Sequence, residues 1–235
     1  MPSHPPLALA ALALLFTIPL RAAEVTVEKA KEFDPSRIKR VAFLPMARAL
    51  PRGEELRAAC PVTKRSFDSC AMEDAAEAEL SRALARAFLG SGAQVQWIPQ
   101  SEINAAHDML KKEGAVSLNL HGSWQAAIGK ELSADAVIMG FIYCYRDRSG
   151  TAYASARPAA VGFCLHLVDP ATGEVLWTMR YSDEQRPLSE DLLALPEFIK
   201  RKGRWIRVEQ MAEEAATRAA SELPWKKKPQ EKKVR

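Results

Sequence analysis

The chain has 235 residues, of which 48% are hydrophobic, 26% are charged and 7% are aromatic. These proportions are those of an ordinary globular protein, and they exclude a disordered chain, a collagen-like repeat and a membrane protein with many spans. The formal net charge is +4. Residues 224–235 alone contribute +5, because they hold five lysines and one arginine against one glutamate. The remainder therefore has no basic excess, and nucleic-acid binding is not expected.

Residues 1–22 have the pattern of a secretory signal peptide. Residues 7–20 form an apolar run, and small residues follow it at Ala22 and Ala23. As a helix this run reaches about 21 Å, short of the ~30 Å hydrocarbon thickness of a bilayer, so a cleaved leader is favoured over a retained anchor. No cysteine lies next to the cleavage site near Ala22 or Ala23. We therefore expect a periplasmic or secreted protein with no transmembrane span after processing.

The spacing of apolar residues along the mature chain predicts strands and helices in alternation. Strands are predicted at residues 37–46, 93–99, 134–145, 159–169 and 173–183. Helices are predicted from a cap at Ser69 to Gly90 and at residues 101–114, 123–132 and 208–223, with a short amphipathic segment after Ser189. Phe141, Tyr143 and Tyr145 are expected to share one face of the sheet, since strand side chains alternate.

This order of elements predicts an α/β (α+β) fold. Strands separated by helices favour parallel pairing, whereas the three strands joined by short turns at 134–183 require antiparallel pairing. We expect a mixed sheet of about five strands covered by helices, with a parallel first half and an antiparallel meander as its second half. One domain is predicted over residues 23–223, with a surface loop at 47–70 and a basic disordered tail at 224–235.

Export makes disulfides the first interpretation of the four cysteines. Cys60 and Cys70 flank a polar segment and are expected to pair, which would close the 47–70 loop. If the strands at 134–145 and 159–169 pair about a centre near Ala154, opposed residue numbers sum to about 308 and Cys144 faces Cys164. A second disulfide there, or two buried free thiols, both agree with that register.

A metal site at Cys144, Cys164 and His166 is a further interpretation, because these three residues share a face on that register. It is disfavoured, since the chain has no C-x-x-C or H-x-x-x-H spacing and no fourth ligand is evident. We therefore expect no bound metal and no cofactor.

Several short segments together resemble one group of bacterial envelope proteins. The first strand holds RVAFLP, and the alanine-rich helix that follows ends in GSG. The later segments LSADAVIMGFIY and LHLVDPATGEVLWT match strand and hairpin motifs of the same group. Over about residues 38–183 the chain resembles the amino-terminal domain of TolB and the periplasmic domain of the curli secretion lipoprotein CsgG. The segment from YSDEQRPLSEDLL to FIKRKGRWI is similar to uncharacterised envelope lipoproteins.

The resemblance implies a TolB-N/CsgG-like fold and a non-catalytic protein of the cell envelope. Members of this group act in assembly, secretion or envelope maintenance through contacts with other envelope proteins or with further copies of themselves. The present chain departs from the lipoproteins because it lacks the lipidated cysteine.

Signatures of catalysis are missing from the sequence. It contains no G-x-G-x-x-G, P-loop, G-x-S-x-G or H-E-x-x-H motif, and no carboxylates stand out as an acid–base pair. We therefore do not expect an enzyme, and a hydrolase with an unrecognised site is the weakest of the alternatives.

Two polar segments are candidates for binding. Asp183, Gln185 and Arg186 lie at and just past the end of a predicted strand, where an ordered turn is the simpler interpretation. Arg204 and Trp205 belong to a cationic stretch that could rest on a glycan, a lipid headgroup, an anionic membrane surface or an acidic partner, although a solvated loop with Trp205 folded onto the core is the favoured interpretation. A periplasmic binder of such a ligand is the main alternative function.

Overall fold

The computed structural model describes residues 23–51, 56–112, 123–150, 155–185 and 206–225. The predicted leader, the segment after Ser189, and Arg186, Arg204 and Trp205 all lie outside these ranges. The strands are β1 (Glu24–Lys29), β2 (Arg40–Phe43), β3 (Ala47–Arg48), β4 (Leu50–Pro51), β5 (Arg57–Ala59), β6 (Ser66–Asp68), β7 (Gln96–Trp97), β8 (Ala136–Arg146), β9 (Ser149–Gly150), β10 (Ser155–Arg157), β11 (Ala160–Val168) and β12 (Val175–Glu184). The helices are α1 (Ala76–Leu89), α2 (Gln100–Lys112), α3 (Ser123–Glu131) and α4 (Val208–Ser221).

A mixed sheet forms the centre of the molecule. Its strand order is β1-β12-β11-β8-β2-β7, and β3 also pairs with β8. The pairings among β7, β2 and β8 are parallel, whereas β8, β11, β12 and β1 pair antiparallel. The mixed sheet is therefore confirmed, but it has seven strands rather than about five, because β1 and β3 join it. β1 escapes prediction because only Val25 and Val27 alternate within an otherwise polar edge strand.

Apolar side chains on both faces of this sheet are buried. On one face, the apolar stripes of α1 and α4 pack against β2, β8, β11 and β12. The opposite face is divided. Residues of α2 and α3 cover the part formed by β2 and the start of β8, and a second, three-stranded sheet of order β4-β5-β6 covers β11 and the later part of β8. Strands with both faces covered explain the near-continuous apolar runs of β8 and β11.

Helix α1 begins at Ala76 rather than at a cap on Ser69. The residues before it are held in extended form along β8, where the Cys70 amide donates to the Tyr143 carbonyl and the Glu73 amide donates to the Tyr145 carbonyl. A backbone bonded to a strand in this way cannot make the bonds of a helical turn. The predicted start was therefore six residues early, since the observed cap is Ala75.

A bulge in β8 shifts its register against β11 by one residue. Gly162 opposes Cys144 whereas Phe163 opposes Ile142, so Tyr143 is an extra residue on β8. Tyr143 and Cys144 both pack toward the three-stranded sheet, and Tyr145 packs toward α4 on the opposite face. The expectation that Phe141, Tyr143 and Tyr145 share a face was therefore wrong, since a bulge breaks the alternation of side chains.

The same register separates two cysteines that were expected to face each other. Cys164 opposes Phe141 and not Cys144, because the strands pair two to three residues away from the predicted register. Cys144 instead forms a disulfide with Cys70, 74 residues earlier in the chain. The predicted Cys60–Cys70 and Cys144–Cys164 pairings were therefore wrong, and Cys60 and Cys164 are buried free thiols.

Candidate functional site

The three-stranded sheet formed by β4, β5 and β6 lies over β8 and β11 and is fixed to them at several points. The Phe67 ring stacks on Tyr143 with centroids 4.6 Å apart. The Arg65 guanidinium binds the Glu28 carboxylate of β1 through two hydrogen bonds, of 2.5 and 2.9 Å. The Cys70–Cys144 disulfide follows directly after β6. This sheet therefore covers a region of the molecule far from its own place in sequence.

Beneath it lies a cluster of two thiols and an imidazole, formed by Cys60, Cys164 and His166. Cys60 follows β5, whereas Cys164 and His166 alternate on β11 and so point to the same face. The Cys60 sulfur lies 3.0 Å from His166 Nε2. The two sulfurs and an imidazole nitrogen all lie within 4.8 Å of one another, and each residue is at most 1% exposed.

Neighbouring groups orient the members of this cluster. His166 Nδ1 lies 3.0 Å from the hydroxyl of Thr178, its direct cross-strand neighbour on β12. In the neutral tautomer with its proton on Nδ1, His166 donates that proton to the hydroxyl and its Nε2 lone pair is available to a metal ion, whereas a protonated Nε2 donates to the Cys60 sulfur. The Thr63 amide donates to the same sulfur across 3.4 Å. The chain reverses here at Lys64, whose φ of 60° lies in the left-handed region.

The pKa values of the two thiols are shifted in opposite directions. A hydrogen bond from the Cys164 thiol, with smaller contributions from the hydrogen bond and charge of His166, lowers the pKa of Cys60 to about 3, although burial acts in the opposite direction. The same contact, together with burial, raises the pKa of Cys164 well above its usual value. Cys60 is thus the acidic member of the pair and Cys164 the proton donor.

Three chemistries are open to such a cluster: nucleophilic attack, disulfide formation and metal ligation. The order thiol, imidazole, hydroxyl in Cys60, His166 and Thr178 follows the arrangement of cysteine hydrolases. Both sulfurs and the imidazole belong to residues that are at most 1% exposed, however, so a substrate could reach them only if the surrounding structure opened. Ligation of a metal ion requires no such opening once the small sheet has closed.

Sequence reasoning named Cys164 and His166 as candidate ligands but placed Cys144 beside them. The structure assigns Cys144 to the disulfide and brings in Cys60, 106 residues before His166. No spacing of residues in the sequence predicts the contact between Cys60 and His166, because that contact depends on the fold of the small sheet. Only the alternation of Cys164 and His166 on one strand was visible in advance.

A second candidate site is an acidic groove where the start of α1, the end of β8 and the start of α4 meet. Its volume is about 340 Å³. Its charged lining consists of five carboxylates and one guanidinium, a formal net charge of −4, from Glu73, Asp74, Glu79, Asp147, Glu209 and Arg207. Asp147 accepts a hydrogen bond from the Val208 amide at 3.0 Å and so holds the first turn of α4 against the groove.

Tyr145 lines the acidic groove, and its hydroxyl is buried. Tyr145 is 1% exposed, and its oxygen has no hydrogen-bond partner among the described residues. Burial, followed by the negative charges of Glu209, Glu79 and Asp147, raises the pKa of this phenol, so it is neutral and can donate or accept. A buried polar group without a partner is unfavourable by about 1–3 kcal/mol, which a ligand in the groove would recover.

The two described binding residues predicted from sequence, Asp183 and Gln185, are not part of either site. Asp183 is half-buried on β12 opposite Val161, and Gln185 is buried just past that strand, where its amide donates to the Ala159 carbonyl. Binding at the basic stretch around Arg204 and Trp205, and at Arg186, remains a prediction. Within the described ranges, no helix has the length and apolarity needed to cross a bilayer.

The chain matches no protein-family model and no curated protein. Among solved structures it is similar to the PelC dodecamer from Paraburkholderia phytofirmans, with 13% identity over 85% of this chain and 96% of that chain, at a TM-score of 0.46. Lipoprotein GNA1162 from Neisseria meningitidis has 14% identity over 70% of this chain and 96% of that chain, at a TM-score of 0.39. The LpoB C-terminal domain from Salmonella enterica has 14% identity over 63% of this chain and 83% of that chain, at a TM-score of 0.37. With TM-scores below 0.5, none of these structures assigns a function to this chain.

Proposed function

We propose that this chain is a non-catalytic, exported protein of the bacterial cell envelope that works by binding other proteins, in assembly, secretion or envelope maintenance. The leader pattern at residues 1–22 and the resemblance to TolB and CsgG support the location. The acidic groove supports the binding role: it receives a lysine or arginine side chain of a partner protein. One observation carries this assignment, the unpartnered hydroxyl of Tyr145, a residue that lines a groove with a net charge of −4.

A cationic side chain meets both requirements of the acidic groove. Ammonium and guanidinium groups carry only hydrogen-bond donors, so they can bind the surrounding carboxylates and the oxygen of Tyr145 together. An anionic ligand would instead be repelled by the like charges of the surrounding carboxylates. The groove therefore selects a basic partner over a phosphate or an acidic glycan.

Short peptides test this assignment on the mature protein. A fluorescent peptide with three lysines or arginines is expected to bind, and a matched peptide with three glutamates is not. Because the attraction is between charges at a partly exposed site, binding should weaken as the salt concentration rises. Fluorescence anisotropy at two or three salt concentrations measures both effects.

Tyr145→Phe separates binding from folding. A hydrogen bond to a charged group contributes about 1.5–3 kcal/mol, so the variant is expected to bind the basic peptide about 10- to 100-fold more weakly. Its free energy of unfolding should stay the same or rise, since the hydroxyl that is removed has no partner in the free protein.

Asp74→Asn in the acidic groove should also weaken binding, whereas Glu102→Gln serves as the matched control. Glu102 is exposed on α2, which packs on the sheet face opposite to that covered by α1 and α4. Equal binding of basic and acidic peptides, or equal losses in Asp74→Asn and Glu102→Gln, would contradict the proposed site.

A further inference from the structure

The cluster of Cys60, Cys164 and His166 has the donor set of a metal centre. Donor atoms that share one zinc ion lie about 2.0–2.3 Å from it and hence within about 4.6 Å of each other. The three donor atoms here lie within 4.8 Å of one another, with Cys60 Sγ and His166 Nε2 at 3.0 Å. Small adjustments of side-chain torsions would bring all three to bonding distance.

Two hydrogen bonds from neighbouring residues hold His166 and Cys60 in orientations suited to binding a metal ion. The hydroxyl of Thr178 bonds to Nδ1 of His166 and leaves Nε2 directed at the sulfurs. Partners of this kind fix the tautomer and orientation of ligating histidines. The Thr63 amide directs its hydrogen at the Cys60 sulfur, as it would at a thiolate that carries negative charge.

Charge selects the class of ion. The cluster is buried, and a buried net charge is strongly unfavourable. Two thiolates and one neutral imidazole around a divalent ion sum to zero, whereas a monovalent ion would leave a net charge of −1. Thiolate sulfur favours thiophilic ions over Mg²⁺ or Ca²⁺.

We propose that Cys60, Cys164 and His166 bind a zinc ion. The fourth position of the ion is left to a small non-protein ligand such as water, since the described residues supply three donors. The thiol protons are released to solvent when the ion binds, and no electron is transferred. The ion would join the loop after β5 to β11, and so hold the small sheet on the central sheet independently of the Cys70–Cys144 disulfide. This role does not depend on the acidic groove.

Metal content of the wild-type protein gives the primary test. The mature chain is purified with its disulfide intact, stripped with a chelator, incubated with Zn²⁺ and passed over a desalting column. One zinc per chain is expected by elemental mass spectrometry, with a rise in melting temperature. Co²⁺ should give the charge-transfer absorption of thiolate ligation, which requires no variant and so does not depend on whether variants fold.

Variants locate the site. Cys164→Ser and His166→Gln should lose the bound zinc, while the double variant Cys70→Ser, Cys144→Ser should retain it, because it removes cysteines only outside the cluster. Thr178→Val should lower zinc affinity about 10- to 100-fold through loss of the orienting hydroxyl, and Thr178→Ser should preserve it. Circular dichroism reports whether each variant is folded.

Three outcomes would overturn the proposal. The first is a folded wild-type chain that retains no zinc. The second is a Cys60–Cys164 disulfide, detected by peptide mapping of the protein as isolated. The third is stoichiometric binding of Cu⁺ without binding of Zn²⁺, which would show that a monovalent ion is preferred.

Discussion

The hydroxyl of Tyr143 donates a hydrogen bond of 2.6 Å to the carbonyl oxygen of Tyr181, two strands away in the sheet. Its ring reaches across β11 directly above Gly162. A Cβ atom at Gly162 would lie 2.3 Å from the Tyr143 ring. The bulge that turns Tyr143 toward the small sheet thus depends on a residue without a side chain on the neighbouring strand.

Gly162→Ala is expected to destabilise the protein by about 1–3 kcal/mol, because the new methyl group overlaps a ring that is held in place. Urea unfolding measures the loss. Tyr143→Phe, which removes only the hydroxyl, should lower the free energy of unfolding by about 1 kcal/mol. In a Tyr143→Ala background the effect of Gly162→Ala should largely disappear, and equal effects in both backgrounds would show that the ring is not the obstacle.

Loss of the Cys70–Cys144 disulfide is expected to lower the free energy of unfolding by about 2–5 kcal/mol, since it closes a long loop in the unfolded chain. The double variant Cys70→Ser, Cys144→Ser measures this loss by urea unfolding. Reducing agent should destabilise the wild type by a similar amount and leave the double variant unchanged. Peptide mapping without reduction should recover Cys70 joined to Cys144, and recovery of Cys60 joined to Cys70 would contradict the structure.

Asp135→Ala is expected to lower the free energy of unfolding by about 1–3 kcal/mol. One carboxylate oxygen of Asp135 accepts the amides of Lys39 and Arg40, each at 2.8 Å, and so joins the start of β8 to the start of β2. Asp135→Asn keeps an acceptor oxygen, so its free energy of unfolding should fall by less than that of Asp135→Ala. Glu131→Ala, on the nearby exposed end of α3, should stay within about 0.5 kcal/mol of the wild type.

Glu77 is expected to make stability depend on pH in the acid range. Burial alone would raise the pKa of Glu77, but the hydrogen bond and charge of Arg48 outweigh it and hold that pKa below its usual value. A lowered pKa in the folded state gives stability that is present above the unfolded pKa of about 4.3 and is lost as the pH falls through the folded pKa.

The Glu77 contribution stays below about 1 kcal/mol, because solvent screens a half-exposed pair. Urea unfolding of wild type and Glu77→Gln should differ at pH 7 and converge near pH 3. Arg48→Gln should remove the same pH dependence. A constant difference between wild type and Glu77→Gln at both pH values would contradict this assignment.

The spacing of apolar residues in the sequence locates the long strands and helices well, because the buried positions of these elements are apolar. Strands β8, β11 and β12 and helices α2 and α3 lie within two residues of their predicted bounds. Each is long enough for its apolar spacing to distinguish strand from helix. β1 lacks such a signal, since it is a half-exposed edge strand that pairs with β12 from the far end of the domain.

Neither candidate site could be assembled from sequence alone. β8 and β11 pair two to three residues away from the register that was used to pair Cys144 with Cys164, and the β8 bulge accounts for only one residue of that offset. The contact of Cys60 with His166 requires the small sheet to close over β11. The acidic groove likewise joins segments more than 100 residues apart, from Glu73 to Glu209, each of which taken alone has the composition of a solvated surface.

The small sheet divides the four cysteines into two chemical populations. Cys70 is partly accessible and pairs with Cys144 at the rim, while Cys60 and Cys164 are sealed in the interior. Four cysteines allow three fully paired isomers, and the native arrangement is none of them. Once the small sheet has closed, the two inner thiols are shielded from an external oxidant, so oxidation of the folded chain ends at a single crosslink.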